Sequence, residues 1–419
     1  MMEKTLQTYL KEQEEWITNI LCQMVQIPSE SGHEQDMEAY LAQQLEKLGV
    51  PYERCPVPAS ITEDPDYSDP VPGLVYNGRG NIEAVCAGWD PQGEKVVLNS
   101  HMDVVPPSAG QTDAYRPRVE AGYLYGRGAC DAKGQLAVML LLMKAMQEYR
   151  RPRATAVCHM VVEEEVGGNG TVALLREKGK CGDCLVNMEP TGLEMQTSIR
   201  GAIWFSFSFT GVAAHAGSAN RAVSALDKAI EAVGLLKQYH QQLLEQSKTY
   251  GLFCGKPNPL PLTIGRMEAG DYPSMTPCSA EIKGVLGILP NTTYQRVTEE
   301  LRQLFNKPEH SWIADGMQMH FSYRHNAVEL PVEHPFAKEM SAACRACGLS
   351  GEPDAMTASA DAIYYQEQGI PSLAFGPGQI SDAHSIRENI RVDDILKAAE
   401  VLFTLLDSNT TDMTETGGQ

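Results

Sequence analysis

The 419-residue sequence predicts an α/β protein with a mostly parallel sheet and a compact α+β domain inserted into it. Strand-like apolar runs alternate with helical stretches in the first half of the chain, which is typical of a parallel sheet with helices on both faces. Near Gly201 the pattern changes to strand, helix, strand, strand, helix, strand, and near His334 the first pattern resumes. The chain is also longer than one hydrophobic core usually serves. We therefore predict a first domain at 1–199 and 328–419, interrupted by a second at 200–327.

Hydrophobic periodicity and turn residues predict the elements of the first domain. Residues 2–48 have apolar side chains at helical spacing, with stops at Pro28 and Gly49. Residues 56–80 are rich in Pro, Asp and Gly and predict an extended surface loop. The other predicted elements are strands at 81–87, 95–100, 154–162, 184–188 and 372–375 and helices at 134–150, 171–179, 334–347 and 392–406.

The inserted segment has a different pattern. Residues 202–210 (AIWFSFSFT) alternate apolar and polar side chains, as a half-buried strand does. Residues 407–419 are polar, and disorder is predicted from about residue 408. The other predicted elements of the segment are helices at 222–244 and 293–305 and strands at 260–267, 280–289 and 317–323.

The composition argues against some functions. The formal net charge of −20 and the pI of about 4.9 argue against binding to nucleic acid or to an anionic membrane surface. The longest apolar run, residues 136–143, is far shorter than the roughly 20 residues that cross a bilayer. Residues 1–15 are polar and show no features of a secretory signal. Together with eleven scattered cysteines, this predicts a cytoplasmic protein with reduced thiols.

Two CxxC pairs, Cys181–Cys184 and Cys344–Cys347, offer a split zinc site as an alternative use of the cysteines. Their separation of about 160 residues is far outside the usual spacing of such sites. The second pair also lies on a predicted helix, where residues i and i+3 share a face, so packing explains it. We therefore expect neither pair to bind metal.

Polar side chains that bind metals follow several of the predicted strands. VVLNSHMDVVP, residues 96–106, is a buried strand that ends in His-x-Asp, and ligands collect at the carboxyl ends of strands in open α/β sheets. His101 can offer a ring nitrogen to a metal while Asp103 accepts the other ring N–H and fixes the tautomer. Taken alone, such a pair is more often structural.

Glycines surround Asp131 in GRGACDAKGQ, residues 126–135, just before a predicted helix. A carboxylate in such a turn can bridge two metal ions through its two oxygens. The alternative is a helix N-cap, a position at which aspartate is common. The motif alone leaves both functions open.

Three glutamates end a strand in VVEEEVGGNGT, residues 161–171. Three like charges repel unless cations compensate, and the apolar residues upstream argue against a solvated acidic turn. One carboxylate, Glu165, can hold a metal while its neighbour Glu164 takes a proton from water.

Two further motifs complete the set. VNMEPTG ends a strand in Glu189, and DAHSIRENI places His384 after the loop FGPG. Each motif is weak alone. Together, two histidines and three carboxylates supply about the six or seven bonds that two zinc ions need. The set therefore predicts a site for two divalent cations.

Six motifs are similar in order and spacing to those of the zinc-dependent aminoacylase and carboxypeptidase family, metallopeptidase family 20 of clan MH. They are HMDVVP, GRGACDAKG, EEEVGGNGT, EPTG, GVAAHAG and FGPG…AHS, and the similarity covers residues 10–405. The family includes acetylornithine deacetylase, succinyl-diaminopimelate desuccinylase, aminoacylases, glutamate carboxypeptidase and several dipeptidases. The resemblance implies an α/β catalytic domain at 1–199 and 328–419 and a lid domain at 200–327 that forms a homodimer.

The resemblance also implies the metal ligands. Asp131 would bridge two Zn²⁺ ions, for which Co²⁺ or Mn²⁺ are alternatives. His101 and Glu189 would complete one metal site, and Glu165 and His384 the other.

The resemblance implies three further roles. Glu164 would be the general base, and Asp103 would orient His101. His215, in GVAAHAG, would reach the active site of the partner subunit and stabilise the oxyanion. The Asp131–Ala132 peptide is expected to be cis, as the corresponding bond often is in the family.

The substrate implied by the resemblance is a small molecule, an N-acyl amino acid or a dipeptide. The lid motif at 263–293 is most similar to the deacetylase and desuccinylase branch. Carboxypeptidase-type relatives have an asparagine near Ile264 and an arginine near Gly287 for the substrate carboxylate, and this chain has neither, which leaves Arg266 as a candidate anchor. We therefore expect a deacylase of N-acyl amino acids, with a metallo-dipeptidase or carboxypeptidase as the alternative. A third, remote hypothesis is an inactive homologue that binds metal, and the complete set of site residues argues against it.

Overall fold

The computed structural model describes residues 4–68 and 73–408. The chain divides into two compact units, of which unit 1 comprises residues 1–198, 328–356 and 360–419 and unit 2 comprises residues 199–327 and 357–359. Of the tail for which disorder was predicted from about residue 408, residues 409–419 lie outside the described residues.

The secondary structure alternates between strands and helices over most of the chain. The strands are β1 (Tyr52–Pro56), β2 (Gly80–Cys86), β3 (Lys95–His101), β4 (Arg118–Glu120), β5 (Tyr123–Tyr125), β6 (Thr155–Val161), β7 (Cys184–Asn187), β8 (Met195–Ile199), β9 (Gly201–Thr210), β10 (Leu262–Ala269), β11 (Ser279–Ile288), β12 (Met317–His325), β13 (Val328–Glu329), β14 (Pro353–Met356), β15 (Ser372–Ala374) and β16 (Asn389–Arg391). The helices are α1 (Leu6–Glu12), α2 (Glu14–Val25), α3 (Gln35–Leu48), α4 (Lys133–Glu148), α5 (Asn169–Lys178), α6 (Ala225–Ser247), α7 (Tyr294–Phe305), α8 (Ser311–Ala314), α9 (Pro335–Ala346), α10 (Ala362–Glu367) and α11 (Val392–Leu406).

The large sheet of unit 1 has parallel strands at its centre. Its order is β1-β2-β6-β3-β7-β15-β8-β13, with β14 paired to β8, and the neighbouring strands β6, β3, β7 and β15 run parallel. The predicted α/β class is therefore confirmed. Since neighbouring parallel strands end at the same edge, the segments that follow these four strands meet there.

A second, three-stranded sheet joins two distant segments of unit 1. β16 pairs antiparallel with β5, which also pairs with β4, so that Ile390 lies opposite Leu124. The pairing keeps the segment before β16 beside the segment after β5. The three strands of this sheet are too short for hydrophobic alternation to reveal them, and none of the three was predicted.

Unit 2 is built on an antiparallel sheet of order β10-β11-β9-β12. Phe205, Phe207 and Phe209 of β9 are buried, whereas the side chains between them are partly or fully exposed, which confirms the predicted alternation. The Phe207 ring packs edge-on against Phe305 and Phe321, with centroid distances of 5.8 and 5.6 Å. These aromatic rings form part of the core of the unit, together with aliphatic residues such as Ile282 and Leu301.

Residues 69–72 of the loop predicted at 56–80 lie outside the described residues. The described parts, residues 56–68 and 73–80, contain more secondary structure and more buried side chains than their composition indicated. A short 3₁₀ turn covers Ala59–Glu63, and Arg79 is buried at the end of the segment. Proline and glycine marked the turns correctly, but they carry no information about the distant side chains that bury Arg79. Elsewhere in the described ranges, 4–68 and 73–408, no helix combines the length and the apolar character needed to cross a membrane.

Arg79 lies between two buried glutamates of unit 1. Its Nη2 is 2.6 Å from Oε2 of Glu34, and its Nη1 is 2.6 Å from Oε1 of Glu163. The Tyr76 hydroxyl and the Asn169 amide also donate to Glu163, each at 3.0 Å. One guanidinium thus compensates two carboxylates that are costly to bury as ions.

We predict that Arg79→Met lowers the free energy of unfolding by about 3–5 kcal/mol, because two buried carboxylates lose their cation. The control Arg345→Met, which removes an exposed partner of Glu352, is expected to cost less than about 1 kcal/mol. Urea unfolding followed by circular dichroism measures both. Equal costs for the two variants would contradict the prediction.

Candidate metal centre

The edge at which the central strands end collects most of the predicted ligands. His101 is the last residue of β3, and Glu189 follows the end of β7 by two residues. Glu164 and Glu165 lie in a 3₁₀ turn, Glu164–Val166, that follows β6. Because β6, β3 and β7 are neighbours, three separate motifs meet at one place.

Asp131 lies in the middle of this cluster. Its Oδ1 is 3.0 Å from Nε2 of His101, and its Oδ2 is 3.3 Å from Nε2 of His384. The same His384 nitrogen is 3.1 Å from Oε1 of Glu165. The two oxygens of Asp131 therefore face two different imidazoles, as those of a bridging carboxylate do. The Asp131–Ala132 peptide is cis, so that expectation is confirmed.

The cluster fits divalent cations. Nitrogen and oxygen atoms that bind one ion at about 2.0–2.2 Å lie roughly 3.0–3.5 Å from each other. The imidazole–carboxylate distances around Asp131 fall in this range. His101, Asp131 and Glu165 each offer one ligand atom, and these three atoms lie within 4.8 Å of one another. No other group of three or more such side chains occurs among residues 4–68 and 73–408. Imidazole and carboxylate donors suit zinc, cobalt or manganese, and neither CxxC pair takes part.

Burial and mutual repulsion shift the pKa values of the acids. Burial raises the pKa of Glu164 well above its ordinary value, and Glu189 adds to the shift while His101 opposes it. Burial also raises the pKa of Glu189 well above the ordinary value, with a further contribution from Asp131. Bound cations would offset both causes, because they compensate the negative charge that burial and repulsion disfavour.

The pKa values of His101 and His384 are raised, whereas burial ordinarily lowers the pKa of an imidazole. Burial alone would lower the pKa of His101, but hydrogen bonds with Asp103 and Asp131 raise it well above its ordinary value. Hydrogen bonds with Asp131 and Glu165 raise the pKa of His384 to about 10. Metal binding at these nitrogens therefore has to release protons.

Asp103 contacts both His101 and the turn that carries Glu164 and Glu165. The closest acceptor to Nδ1 of His101 is the backbone oxygen of Asp103, at 2.9 Å, while the carboxylate oxygen Oδ1 lies at 3.5 Å. The carboxylate accepts the backbone N–H groups of Glu164 and Glu165 at 3.1 and 3.2 Å. It also accepts the Ser31 hydroxyl at 2.7 Å. Asp103 thus links the end of β3 to the turn after β6.

Glu388 connects the two loops that carry Asp131 and His384. Its Oε1 accepts the backbone N–H groups of Cys130 and Asp131, both at 3.2 Å, and its Oε2 accepts Nη1 of Arg127 at 2.6 Å. It follows His384 by four residues. The sequence contains no signal for this contact, because Glu388 and its partners are more than 250 residues apart.

Unit 2 carries two of the predicted residues. His215 lies on an exposed loop after β9, where its Nδ1 accepts the backbone N–H of Gly217 at 3.1 Å and its backbone pairs with that of Met275. Arg266, the candidate carboxylate anchor, is exposed on β10, and its Nε donates to Glu268 at 2.9 Å. The guanidinium of Arg266 thus already has a carboxylate partner within its own strand, which argues against the anchoring role.

Asp361 is a buried acid that no sequence motif indicated. Its Oδ2 accepts the Thr171 hydroxyl at 2.5 Å, and its Oδ1 has no hydrogen-bond partner among the described residues. Burial raises the pKa of Asp361 to about 7; Thr171 and His101 oppose the shift, and Asp103 adds to it. In the sequence, Asp361 precedes a short apolar helix, and that pattern indicates only an N-cap.

Comparison with known proteins gives matches over most of the chain. Residues 97–408 match the model of Peptidase family M20/M25/M40. The chain is 23% identical over 370 residues to N-formyl-4-amino-5-aminomethyl-2-methylpyrimidine deformylase of Halalkalibacterium halodurans, covering 79% of this chain and 83% of that one. It is 24% identical over 323 residues to acetylornithine deacetylase of Myxococcus xanthus, covering 77% and 82%. The solved structure of the dipeptidase Dug1p of Saccharomyces cerevisiae has the same fold, with a TM-score of 0.78 at 14% identity, covering 97% of this chain and 98% of that one.

We predict that Asp361→Asn stabilises the metal-free protein at neutral pH. The pKa of Asp361 is raised to about 7 in the folded protein, so ionising this carboxyl costs more in the folded than in the unfolded state. The wild type should therefore lose stability as pH rises from about 4 to 7, and the loss is complete above the folded pKa. The gain of the variant over the wild type should therefore grow across this range and reach on the order of 2–4 kcal/mol. Urea unfolding at pH 4, 6 and 8 measures it.

The control is Asp113→Asn, which changes an exposed aspartate and should move stability by less than about 0.5 kcal/mol at each pH. A gain for Asp361→Asn that does not depend on pH would contradict the prediction. Added Zn²⁺ should reduce the gain, because nearby cations favour the ionised carboxylate.

Proposed function

Since the chain belongs to peptidase family M20/M25/M40 and is therefore a metal-dependent hydrolase of amide bonds, we propose that it removes the acyl group from an N-acyl amino acid. The observation that carries the proposed two-metal site is the orientation of Asp131, whose two oxygens face His101 and His384 separately. We propose a pair of Zn²⁺ ions, with Co²⁺ or Mn²⁺ as alternatives.

Two observations support a deacylase. The deformylase and the acetylornithine deacetylase, to which the chain is similar over more than three quarters of its length, are both named for removing a small acyl group. The chain has no asparagine near Ile264 and no arginine near Gly287, so it lacks the residues typical of carboxypeptidase-type relatives. A dipeptidase is the second candidate, because Dug1p shares the fold.

The proposed ligands divide around Asp131. His101 and Glu189 would complete one site, and Glu165 and His384 the other. The 3.1 Å distance between Glu165 and His384 supports the second assignment. When bound, the two cations supply Lewis acidity that polarises the amide carbonyl and lowers the pKa of water.

Glu164 is the proposed general base. The Asp103 carboxylate holds its backbone N–H, and burial raises its pKa, so this side chain can keep a proton between two transfers. The oxygen of water bonds to the carbonyl carbon while Glu164 takes the proton. The C–N bond then breaks, and Glu164 gives that proton to the leaving amine nitrogen.

We propose that the enzyme is a homodimer in which unit 2 acts as the lid and dimerisation domain. His215 from the lid of one protomer would donate to the carbonyl oxygen of a substrate bound in its partner as negative charge develops there. β10 is an edge strand with Met267 exposed, which supports contact with a second copy. The eleven free cysteines support a reducing, cytoplasmic environment.

We predict that Glu164→Gln retains two metal ions per chain but loses more than about 10²-fold in kcat, because an amide cannot take the proton. Metal content by mass spectrometry and steady-state kinetics measure the two quantities. Glu194→Gln, which changes an exposed glutamate, is the matched control and should leave both unchanged. Retained activity in Glu164→Gln would rule this residue out as the base.

We predict that N-acyl amino acids are the preferred substrates. Wild-type protein loaded with Zn²⁺ or Co²⁺ is to be tested on N-acetyl and N-succinyl amino acids, N-formyl amines and dipeptides. We expect kcat/KM for the best N-acyl amino acid to exceed that for the best dipeptide by at least about tenfold, or roughly 1.4 kcal/mol of transition-state binding. The reverse preference would make the protein a dipeptidase. Bound metal without hydrolysis of any amide would indicate an inactive homologue.

A further inference from the structure

A row of polar side chains crosses the apolar centre of the large sheet. Glu83, His159, Asn99 and Asn187 lie on the neighbouring strands β2, β6, β3 and β7, and each is directly paired with the next in the strand register. Directly paired residues point to the same face of a sheet. The last three are buried and Glu83 is half-buried, and Tyr365 of α10 contacts the row from the helix layer. We call these five residues the polar row.

Side-chain hydrogen bonds join the polar row from end to end. Nε2 of His159 is 3.1 Å from Oε2 of Glu83, and Nδ1 is 2.7 Å from the Tyr365 hydroxyl. The hydroxyl donates to Oδ1 of Asn99 at 3.1 Å. Nδ2 of Asn99 in turn donates to Oδ1 of Asn187 at 3.2 Å. Polar side chains this deep in a sheet are costly unless they are paired, and these are.

The polar row ends on a proposed metal ligand. Nδ2 of Asn187 donates to Oε1 of Glu189 at 2.9 Å. A carboxylate that binds a cation only accepts, so Asn187 turns its NH₂ towards Glu189 and its oxygen towards Asn99. By the same rule, Asn99 turns its oxygen towards the Tyr365 hydroxyl. That hydroxyl has one proton, which it donates to Asn99, so it accepts the Nδ1–H of His159.

The donors from Nδ1 of His159 through Tyr365, Asn99 and Asn187 thus point towards Glu189, while Nε2 of His159 faces the Glu83 carboxylate at the other end. Aligned hydrogen bonds polarise one another, and this strengthens the last one. Burial lowers the pKa of the His159 ring while Glu83 opposes that shift. With Nδ1–H donated to Tyr365, Nε2 also needs a proton to hydrogen-bond with the Glu83 carboxylate, so this order of donors belongs to the imidazolium, which forms an ion pair with Glu83. At the end of the polar row far from Glu189, Lys178 forms an ion pair with Glu83, with Nζ 3.3 Å from Oε1.

We propose that the polar row is a positioning chain that fixes the orientation of the Glu189 carboxylate and so raises the affinity of the metal site. This inference rests on the proposed role of Glu189 as a ligand. The five residues act through Glu189 and need no contact with substrate. Partners of metal ligands typically contribute about 10–100-fold to metal affinity, and the effect should decrease with each link from the ligand.

The test measures the Zn²⁺ dissociation constant by competition with a chromogenic chelator, without any substrate. Asn187→Leu removes the donor to Glu189 and should weaken binding by about 10–100-fold. Tyr365→Phe removes one oxygen, two links further out, and should weaken it by about 3–10-fold. Tyr9→Phe removes a hydroxyl that donates to Glu148, far from the polar row in the sequence; it is the matched control and should not change the dissociation constant.

A pair of His159 variants separates positioning from simple structural support. An asparagine amide places an N–H near the position of Nδ1 and keeps the link to Tyr365, whereas a glutamine amide reaches the position of Nε2 and keeps only the link to Glu83. We expect His159→Asn to bind Zn²⁺ within about threefold of the wild type and His159→Gln to bind it about 3–10-fold more weakly. Thermal unfolding of the metal-free proteins reports the structural effect of each substitution.

The outcomes distinguish the two proposals. If the wild type binds Zn²⁺ but Tyr365→Phe and Asn187→Leu bind it equally well, with only a lower Tm, the positioning role is overturned while the metal site stands. Equal losses of affinity in His159→Asn and His159→Gln overturn it as well. Should Asn187→Leu fail to fold, Tyr365→Phe provides the test alone. A wild-type protein that binds no Zn²⁺ overturns the metal site and the positioning role together.

Discussion

Buried negative charge is the constraint on which the centre of unit 1 depends. Asp131, Glu164, Glu189 and Asp361 are all nearly inaccessible to solvent. Mutual repulsion adds to burial in raising the pKa values of Glu164 and Glu189. Ionised carboxylates in such a place are costly unless cations compensate them. Elsewhere in the same unit the protein supplies that compensation itself, as Arg79 does between Glu34 and Glu163. At the proposed metal centre, bound cations would provide this compensation.

The topology explains how residues far apart in the chain meet at this point. Parallel order in β6, β3 and β7 aligns the ends of three motifs without any specific contact between them. Asp131 and His384 do not lie at strand ends of the large sheet, so other contacts have to position them. The pairing of β16 with β5 brings their loops together, and Glu388 then fixes the backbone of Asp131 from the His384 side. The central fold places part of the site, and two small structural additions place the rest.

The sequence predicted the parts of this protein that are encoded locally. Apolar runs, glycine turns and polar residues after strands gave the α/β class and the candidate ligands, because these signals lie within a few residues of each other. Glu388 and Asp361 escaped prediction because their partners are 190 to 261 residues away. His159 and Asn99 escaped for a different reason. Each is a single polar residue in an apolar strand, and hydrophobic periodicity gives no register, so their alignment across the sheet could not be seen before the strands were paired.

Asp103, Glu388 and the polar row are not proposed to bind metal, but each forms hydrogen bonds that position a different part of the proposed site. The Asp103 carboxylate holds the turn of Glu164 and Glu165, Glu388 holds the backbone of Asp131, and the polar row holds Glu189. His384 lies on a loop, its side chain is about half exposed, and no hydrogen bond to its ring from outside the proposed ligand set occurs among residues 4–68 and 73–408. A ligand set with several fixed members and one exposed member can keep its geometry while an ion enters from the exposed side. The buried ligands therefore set the geometry of the proposed site, and the His384 loop is the part best placed to admit or release the metal.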